Sequence, residues 1–285
     1  MTANEFETVA YRKIRHINVL FDNIIYRNFH IHSELELLCL VQGECSINVR
    51  GRRIDARRGS VVLVNHNEAH EMRSSDGADF VIIQFSNHLL REYFPQIRTT
   101  FFERAEVSDG LAEEKSAELW GIIAALAEAY ARSEPLFELR CISSAAELMR
   151  FLYENVPHTV YSEQKYLSQK KITGRIDRIV NYIEANYNGD ISLVALAEEE
   201  GITPTHLSHF FRDEFGVTFQ EYIGNIRFEH ALRLIGTPQL SLYEIAMECG
   251  FSDVKYMSRQ FKQHLGCTPR EYARTSAAYP VGVAV

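Results

Sequence analysis

Two periods alternate along this chain of 285 residues. Between about residues 19 and 85 the apolar positions fall in short runs, at 24–29, 36–41, 45–49, 61–64 and 80–85, rich in Ile, Val, Leu and Phe. Gln42-Gly43, Arg50-Gly51, Arg58-Gly59, residues 65–67 and Asp76-Gly77 separate them. Short strands broken by glycine turns predict a barrel or sandwich. Residues 86–110 read as irregular structure, and from Leu111 the period becomes helical. Leu119, Ile122, Ile123, Leu126 and Tyr130 form one stripe, and Leu136, Leu139, Ile142, Ala146, Met149, Leu152 and Tyr153 another. Ser133-Glu134-Pro135 separates them, and Pro135 suits the first turn of the second helix. Residues 155–171 are polar and read as a linker. A helix is predicted from 173 to about 187, with Ile176, Ile179, Val180 and Ile183 apolar. The fold class is α+β.

The stretch 190–272 is written twice. Ile191-Ser192-Leu193, Ala197, Gly201, Leu207, Phe211, Gly216, Thr218 and Tyr222 return as Leu240-Ser241-Leu242, Ala246, Gly250, Met257, Phe261, Gly266, Thr268 and Tyr272. The offset is 49 residues up to the glycines and 50 from Leu207 and Met257 onward, so the second copy carries one extra residue after Gly250. A repeat of this length is one folding unit used twice. Each copy has the grammar of a helix-turn-helix. Ser192 and Ser241 are placed to cap a short first helix, and Glu244 completes a capping box with Ser241. Ala197 and Ala246 let a second helix cross closely. Gly201 and Gly250 can adopt the left-handed conformation of a tight turn. Thr203-Pro204 and Ser252-Asp253 then start a second helix. Its apolar stripe is narrow: Leu207, Phe210 and Phe211 in one copy, Met257 and Phe261 in the other. The opposite face is left free to enter a major groove. One such pattern could be an ordinary helical pair; two copies with caps and glycines in register are not so easily dismissed. A long helix over 219–235 is expected to hold the copies about one duplex turn, roughly 34 Å, apart.

These residues resemble the DNA-binding domain of AraC/XylS-type bacterial transcription regulators. The resemblance rests on 193–197, Gly201, His206-Leu207-Ser208, Phe211-Arg212, Phe215-Gly216, Arg227, Ala231 and Leu234. It continues through Ile245-Ala246, Cys249-Gly250-Phe251-Ser252-Asp253, Tyr256-Met257-Ser258-Arg259, Phe261-Lys262, Gly266, Thr268-Pro269 and Tyr272. One departure is Phe219, where the second copy has Pro269. The resemblance implies DNA contacts from Thr205, His206, Ser208, His209 and Arg212 in the first unit, and from Lys255, Tyr256, Ser258, Arg259 and Lys262 in the second. It also implies a double-stranded operator, a small-molecule effector most often drawn from carbohydrate metabolism, activation by contact with RNA polymerase, and a homodimer. The helical pair resembles the dimerisation element of such regulators, with Leu119, Ile123, Leu126 and Tyr130 as its buried face; the same stripe could instead pack on its own barrel.

Within the β region, His30-x-His32-x3-Glu36-x6-Gly43, followed by Gly59 and His70, resembles the cupin motifs. Ile24 stands where the first motif begins with glycine. In the second motif Asn65, Asn67 and Ser74 replace the usual proline, glycine and asparagine. His30 and His32, two apart on a strand, point the same way. With Glu36 and His70 they form a three-histidine, one-carboxylate set of the kind that holds zinc, nickel, iron or manganese. The alternative is a remnant signature whose side chains hydrogen-bond an effector or one another. These four residues are therefore the effector-binding set; the resemblance requires no cofactor, and a divalent metal is the one the set could hold.

Bulk properties add less. Residues 171–285 hold eleven Lys and Arg against fourteen Asp and Glu, a net of −3 within a chain total of −8. A nucleic-acid binder usually shows a basic footprint, so positive charge must be local, at Arg212, Arg227, Lys255, Arg259 and Lys262. Five scattered cysteines without a Cys-x-x-Cys pair fit a reducing compartment. The first twenty residues carry no signal-type apolar run and no segment reaches membrane-spanning length, so a cytoplasmic protein is expected. Tyr11, Arg12, Lys13 and Arg15 read as a solvated arm or as one that folds over a ligand; Trp120 reads as packing; residues 277–285 read as a loose tail. The predicted organisation is a cupin-like effector and dimerisation domain over 1–155, a linker over 156–172 and a double helix-turn-helix domain over 173–276. The predicted function is a non-enzymatic, sequence-specific transcription regulator. The alternative is a metal-binding cupin sensor or cupin enzyme fused to a helical domain.

Overall fold

A computed structural model describes residues 11, 13–86, 88–235 and 240–276. The tail over 277–285, and residues 1–10 and Arg12 of the arm, lie outside the described residues. Strand β6 (His70–Phe85) is the spine of an antiparallel sheet. Strand β1 (Ile17–His30) follows one edge of it, from Ile17 opposite Phe85 to His30 opposite His70. On the other edge β2 (Leu35–Gln42) pairs with its second half and β3 (Glu44–Val49) with its first. Strand β4 (Arg52–Arg57) pairs with β3, and β5 (Val61–Val64) with β2. Irregular register in the β1–β6 ladder, between Ile24 and Tyr26 and between Arg27 and His30, bends these long strands. The sheet curls into a half-barrel. Strand β4 escapes the sequence pattern because Arg-Arg-Ile-Asp-Ala-Arg buries only Ala56.

The period of two then sorts side chains to two cores. Leu35, Leu37 and Cys39 pack outward with Val61, Leu63 and Ile83 against a helical pair. Leu38 and Leu40 point into the curl with Ile47, Val62, Val64 and Phe80. Glu36 shares their face. The pair consists of α1 (Glu113–Arg132) and α2 (Phe137–Asn155). Leu136 caps α2 with a left-handed φ of 69°, so Pro135 stands just outside the helix it was expected to begin.

Two expectations are corrected here. Leu119, Ile123, Leu126 and Tyr130 are fully buried in the core that α1 and α2 share with their own sheet, so they offer no face to a second subunit. The apolar side chains that the pair leaves in solvent lie on α2 and just before it: Leu136, Leu139 at 63 % exposure and Ile142 at 42 %. The polar segment expected to be a linker is ordered as well. Strand β8 (His158–Val160) pairs with β7 (Thr100–Phe102), and α3 (Glu163–Asn186) starts ten residues before the expected helix, where the Ser162 hydroxyl accepts from Lys165 N.

The two repeats are α4 (Leu193–Glu199) with α5 (Pro204–Phe215), and α7 (Leu242–Glu248) with α8 (Val254–Leu265). Ser192, Thr203 and Ser241 cap as expected; in the second repeat the cap of α8 is Asp253 itself, accepting from Tyr256 N at 2.7 Å. Gly201 and Gly250 follow the helix ends with φ of 65° and 77°. A Cβ on Gly250 would lie 2.5 Å from Asn188 Cα, so this turn admits only glycine. Helix α6 (Phe219–Leu234) joins the repeats and α9 (Pro269–Ser276) closes the second.

The helical half is seated on the sheet. Phe29, Ile31 and Ala69 belong to the core of the first repeat, with Phe211, Phe215 and Phe219. Tyr26 belongs to that of the second, edge-on to Phe228 at 5.0 Å and tilted against His264 at 4.9 Å.

Candidate ligand cluster and nucleic-acid interface

The end of β1, the connection that follows it, the start of β2 and the start of β6 bring His30, His32, Glu36 and His70 together. All four are 0 to 4 % exposed, and one donor atom from each lies within 4.8 Å of the others. Each histidine turns Nδ1 toward a backbone carbonyl: His30 to Asn28 O at 2.8 Å, His32 to Glu34 O at 3.2 Å, His70 to Glu68 O at 3.0 Å. A carbonyl only accepts, so these contacts put a proton on Nδ1 and, in a neutral ring, leave the lone pair on Nε2 facing the cluster. His70 Nε2 lies 2.9 Å from Glu36 Oε2, and His32 Nε2 3.3 Å from Glu36 Oε1. The His70–Glu36 approach lacks hydrogen-bond geometry, and neither His70 Nε2 nor Glu36 Oε2 has a hydrogen-bond partner. Two buried polar atoms at that distance need a proton or a metal cation between them. Burial alone would raise the Glu36 carboxyl, but His32 and His70 outweigh it and hold it well below the usual carboxylate range. Burial, then the neighbouring His70 and Arg27, keep the His30 imidazole neutral far below its usual range. Three imidazoles around one carboxylate make the kind of donor set that transition-metal ions use.

Sequence reasoning missed what lies behind this cluster. Gln84 Nε2 donates to Glu36 Oε1 at 2.9 Å, Asn18 Nδ2 to Gln84 Oε1 at 2.8 Å, and Tyr130 Oη to Asn18 Oδ1 at 3.2 Å. This buried chain crosses the sheet from the cluster to α1. The signal available was polar Gln84 inside an otherwise apolar run. On the other side Asn28, whose carbonyl holds His30, donates its N–H to Glu229 Oε2 on α6 at 3.3 Å, and Arg27 reaches Glu229 Oε1 at 3.3 Å.

In the repeats, Thr205, His206, His209 and Arg212 of α5 and Lys255, Arg259 and Lys262 of α8 are exposed. Ser208, Tyr256 and Ser258 are half-buried. The Tyr256 ring packs edge-on to Phe251, and the Arg259 guanidinium sits 5.3 Å above it. Arg227 does not contribute to the expected positive surface. Its Nε donates to Tyr187 O at 2.7 Å and its Nη2 to Gly189 O at 2.8 Å, so it ties α6 to the end of α3.

A curled sheet carrying a buried histidine–carboxylate cluster, joined to a duplicated helix-turn-helix, defines a two-part ligand-binding and DNA-binding class. Residues 17–149 match the AraC-like ligand binding domain and 196–275 a helix-turn-helix domain. The chain belongs to the AraC family. It is 26 % identical over 233 residues, 82 % of its length, to the uncharacterised HTH-type transcriptional regulator SAR0107 of Staphylococcus aureus, and spans 30 % of that protein. It is 35 % identical over 95 residues, 33 % of each chain, to YpdC of Escherichia coli, another uncharacterised HTH-type transcriptional regulator. The fold is that of ToxT from Vibrio cholerae, with a TM-score of 0.50 at 15 % identity, covering 91 % of this chain and 98 % of the other. No helix among the described residues is long and apolar enough to cross a membrane.

Proposed function

We propose that this protein is a cytoplasmic, sequence-specific DNA-binding regulator of transcription whose sheet senses a small effector at His30, His32, Glu36 and His70. What carries the DNA-binding half is the repeat itself: two capped second helices, α5 and α8, each anchored by one apolar face and each offering an exposed polar one. A helix so held can enter a major groove. Selection of duplexes from a random-sequence library by the full chain, followed by footprinting, tests it. Recovery of one sequence with two protected half-sites on one face is the expected result. No enrichment over the starting pool overturns it.

The sensing half rests on the approach of His70 Nε2 to Glu36 Oε2. Donor atoms within 4.8 Å of each other enclose an ion, not a sugar ring, so a sugar effector would have to meet the cluster from outside. The occupant that fits is a divalent transition-metal ion held by the three imidazoles and Glu36, supplying positive charge where His70 Nε2 and His32 Nε2 face the Glu36 carboxylate. Element analysis of the purified chain and calorimetric titration with zinc, nickel and manganese test this; no uptake by the wild-type chain would exclude it. An enzyme gains no support from this arrangement, since all four side chains are sealed from solvent. Contact with RNA polymerase and pairing of two copies belong to the same reading.

A further inference from the structure

The helical half, at −3, lacks the basic footprint of a DNA binder, yet the sheet carries five arginines within nine residues, Arg50, Arg52, Arg53, Arg57 and Arg58, against the single acid Asp55. They decorate the β3–β4 hairpin. Its turn, Arg50-Gly51, has φ of 46° and 77°, the two left-handed positions of the tightest hairpin connection. Asparagine or glycine adopts the first of these with less strain than arginine does. Arg50 N donates to Ala69 O at 3.0 Å, and Ala69 is packed in the core of the first repeat. The tip is thereby fixed against the end of α5. Gly51 Cα would lie 3.8 Å from a Cβ on Gly216, the residue that ends α5, and Arg50 Nη2 is 3.9 Å from Glu214 Oε2.

That position has a consequence for nucleic acid. A twelve-residue helix is about 18 Å long, and the major groove is about 12 Å wide. With bases under the first half of α5, its last turn lies at the flanking phosphate strand. The hairpin tip packs beside that last turn, at Gly216 and Glu214. Of its arginines, Arg50 faces Glu214, and exposed Arg53 is paired to Asp55 at 2.8 Å. Arg52 is exposed and has no ion pair among the described residues.

We infer that the β3–β4 hairpin is a third DNA-contacting element, in which Arg52 and Arg53 engage the phosphate backbone beside the half-site read by α5. This rests on the DNA-binding reading above and adds to it a surface from the ligand-binding half. Phosphate competes readily for Arg53, because an exposed ion pair such as that with Asp55 contributes little. The sheet thus supplies part of the charge that the helical half lacks. Since the hairpin belongs to the same sheet as the histidine cluster, its contact with DNA depends on the sheet remaining seated on α5 and α6.

The test uses the full chain and a duplex that the wild-type chain recovers from a random-sequence library, with binding followed by fluorescence anisotropy across a sodium chloride series. Each phosphate contact adds about 0.9 to the slope of log K against log salt. Arg52→Ala with Arg53→Ala should lower that slope by about 1 to 2 and weaken selected and random duplexes by the same factor. Ethylation interference should show a phosphate patch next to the first half-site that the double variant loses. Arg57→Ala with Arg58→Ala is the control. Those residues lie at the other end of the hairpin, beside Gly59, whose carbonyl accepts from Trp120 of α1 at 3.1 Å. An unchanged slope in the Arg52/Arg53 variant, or an equal drop in the control, overturns the inference while leaving the helix-turn-helix reading intact. Failure of the wild-type chain to enrich any duplex overturns both.

Discussion

Gln84 Nε2 donates to Glu36 Oε1 at 2.9 Å, and that amide is itself held in place from the helical pair through Asn18 and Tyr130. The donors all run one way. The Tyr130 hydroxyl points to Asn18, the Asn18 amide to Gln84, and the Gln84 amide to the carboxylate. A buried anion at Glu36 therefore sets the orientation of each group out to α1, and whatever changes that anion acts on α1 through three hydrogen bonds.

Gln84→Leu removes the middle of this chain and leaves the Asn18 amide and Glu36 Oε1 unpaired. Each orphaned buried group costs about 1–3 kcal/mol, which urea unfolding at pH 7 measures. Zinc affinity should also fall about 10- to 100-fold, the usual effect of losing a group that orients a ligand. Calorimetry showing full zinc affinity in a destabilised Gln84→Leu chain would reduce Gln84 to a packing role.

The pairing of two copies proposed above would use the apolar side chains that α2 leaves exposed, Leu139 and Ile142. Leu139→Glu with Ile142→Glu places charge on exposed positions, so the melting temperature should hold while sedimentation shifts from dimer to monomer. Leu126→Arg behaves differently. It puts a guanidinium into the α1–α2 core, where an unpaired buried charge costs more than about 4 kcal/mol. That variant should unfold rather than dissociate. A double Glu variant that still sediments as a dimer places the contact elsewhere.

How much of this was legible in the sequence depended on how local the signal was. The repeats were legible because caps and glycines act within a few residues: Ser241 with Glu244, Thr203 with Pro204, Gly250 at its turn. The cluster was legible because the motif spacing supplied all four residues, although His32 lies just beyond the end of β1 and is not placed by a strand's period of two. The partner of an apolar stripe is not local. The period of α1 marks Leu119, Ile123 and Leu126 as buried, and is silent on whether their own sheet or another subunit buries them. Strand β4 was hidden by its charges, and α3 by the polar residues of its first turns. Arg227 looked like part of a DNA surface because nothing adjacent in sequence reveals that the carbonyls of Tyr187 and Gly189 take its donors.

Arg259 is exposed on α8 and braced by the Tyr256 ring, which limits the freedom its guanidinium must lose on binding. A braced guanidinium can pair with both acceptors of guanine. Arg259→Ala should cost about 1–3 kcal/mol on a selected duplex and relax the preference at one position. Arg212→Ala and Lys262→Ala, at the ends of α5 and α8, should instead weaken all duplexes alike and lower the salt slope by about one unit each. Equal losses for Arg259→Ala on selected and random DNA would make Arg259 a phosphate contact too.

His264 makes the seat of the helical half on the sheet sensitive to acid. Its ring stacks on Phe228 at 4.4 Å and lies against Tyr26, and Nε2 meets Gln260 Oε1 at 3.0 Å. Burial, reinforced by the Arg73 guanidinium, pushes its pKa down to about 3. The folded chain holds this ring neutral, whereas the unfolded chain protonates it near 6.5. Between those values the unfolded state binds the extra proton. The contribution is therefore complete above pH 6.5 and is lost progressively as pH falls toward 3. At pH 5 the loss should be about 1–2 kcal/mol, given that the ring is partly open to solvent. His264→Phe keeps the aromatic packing and removes the proton site. Urea midpoints at pH 7.5 and pH 5 should then differ less in the variant than in the wild type, by that amount. Parallel pH dependence in the two chains would mean that His264 does not carry the acid sensitivity of this interface.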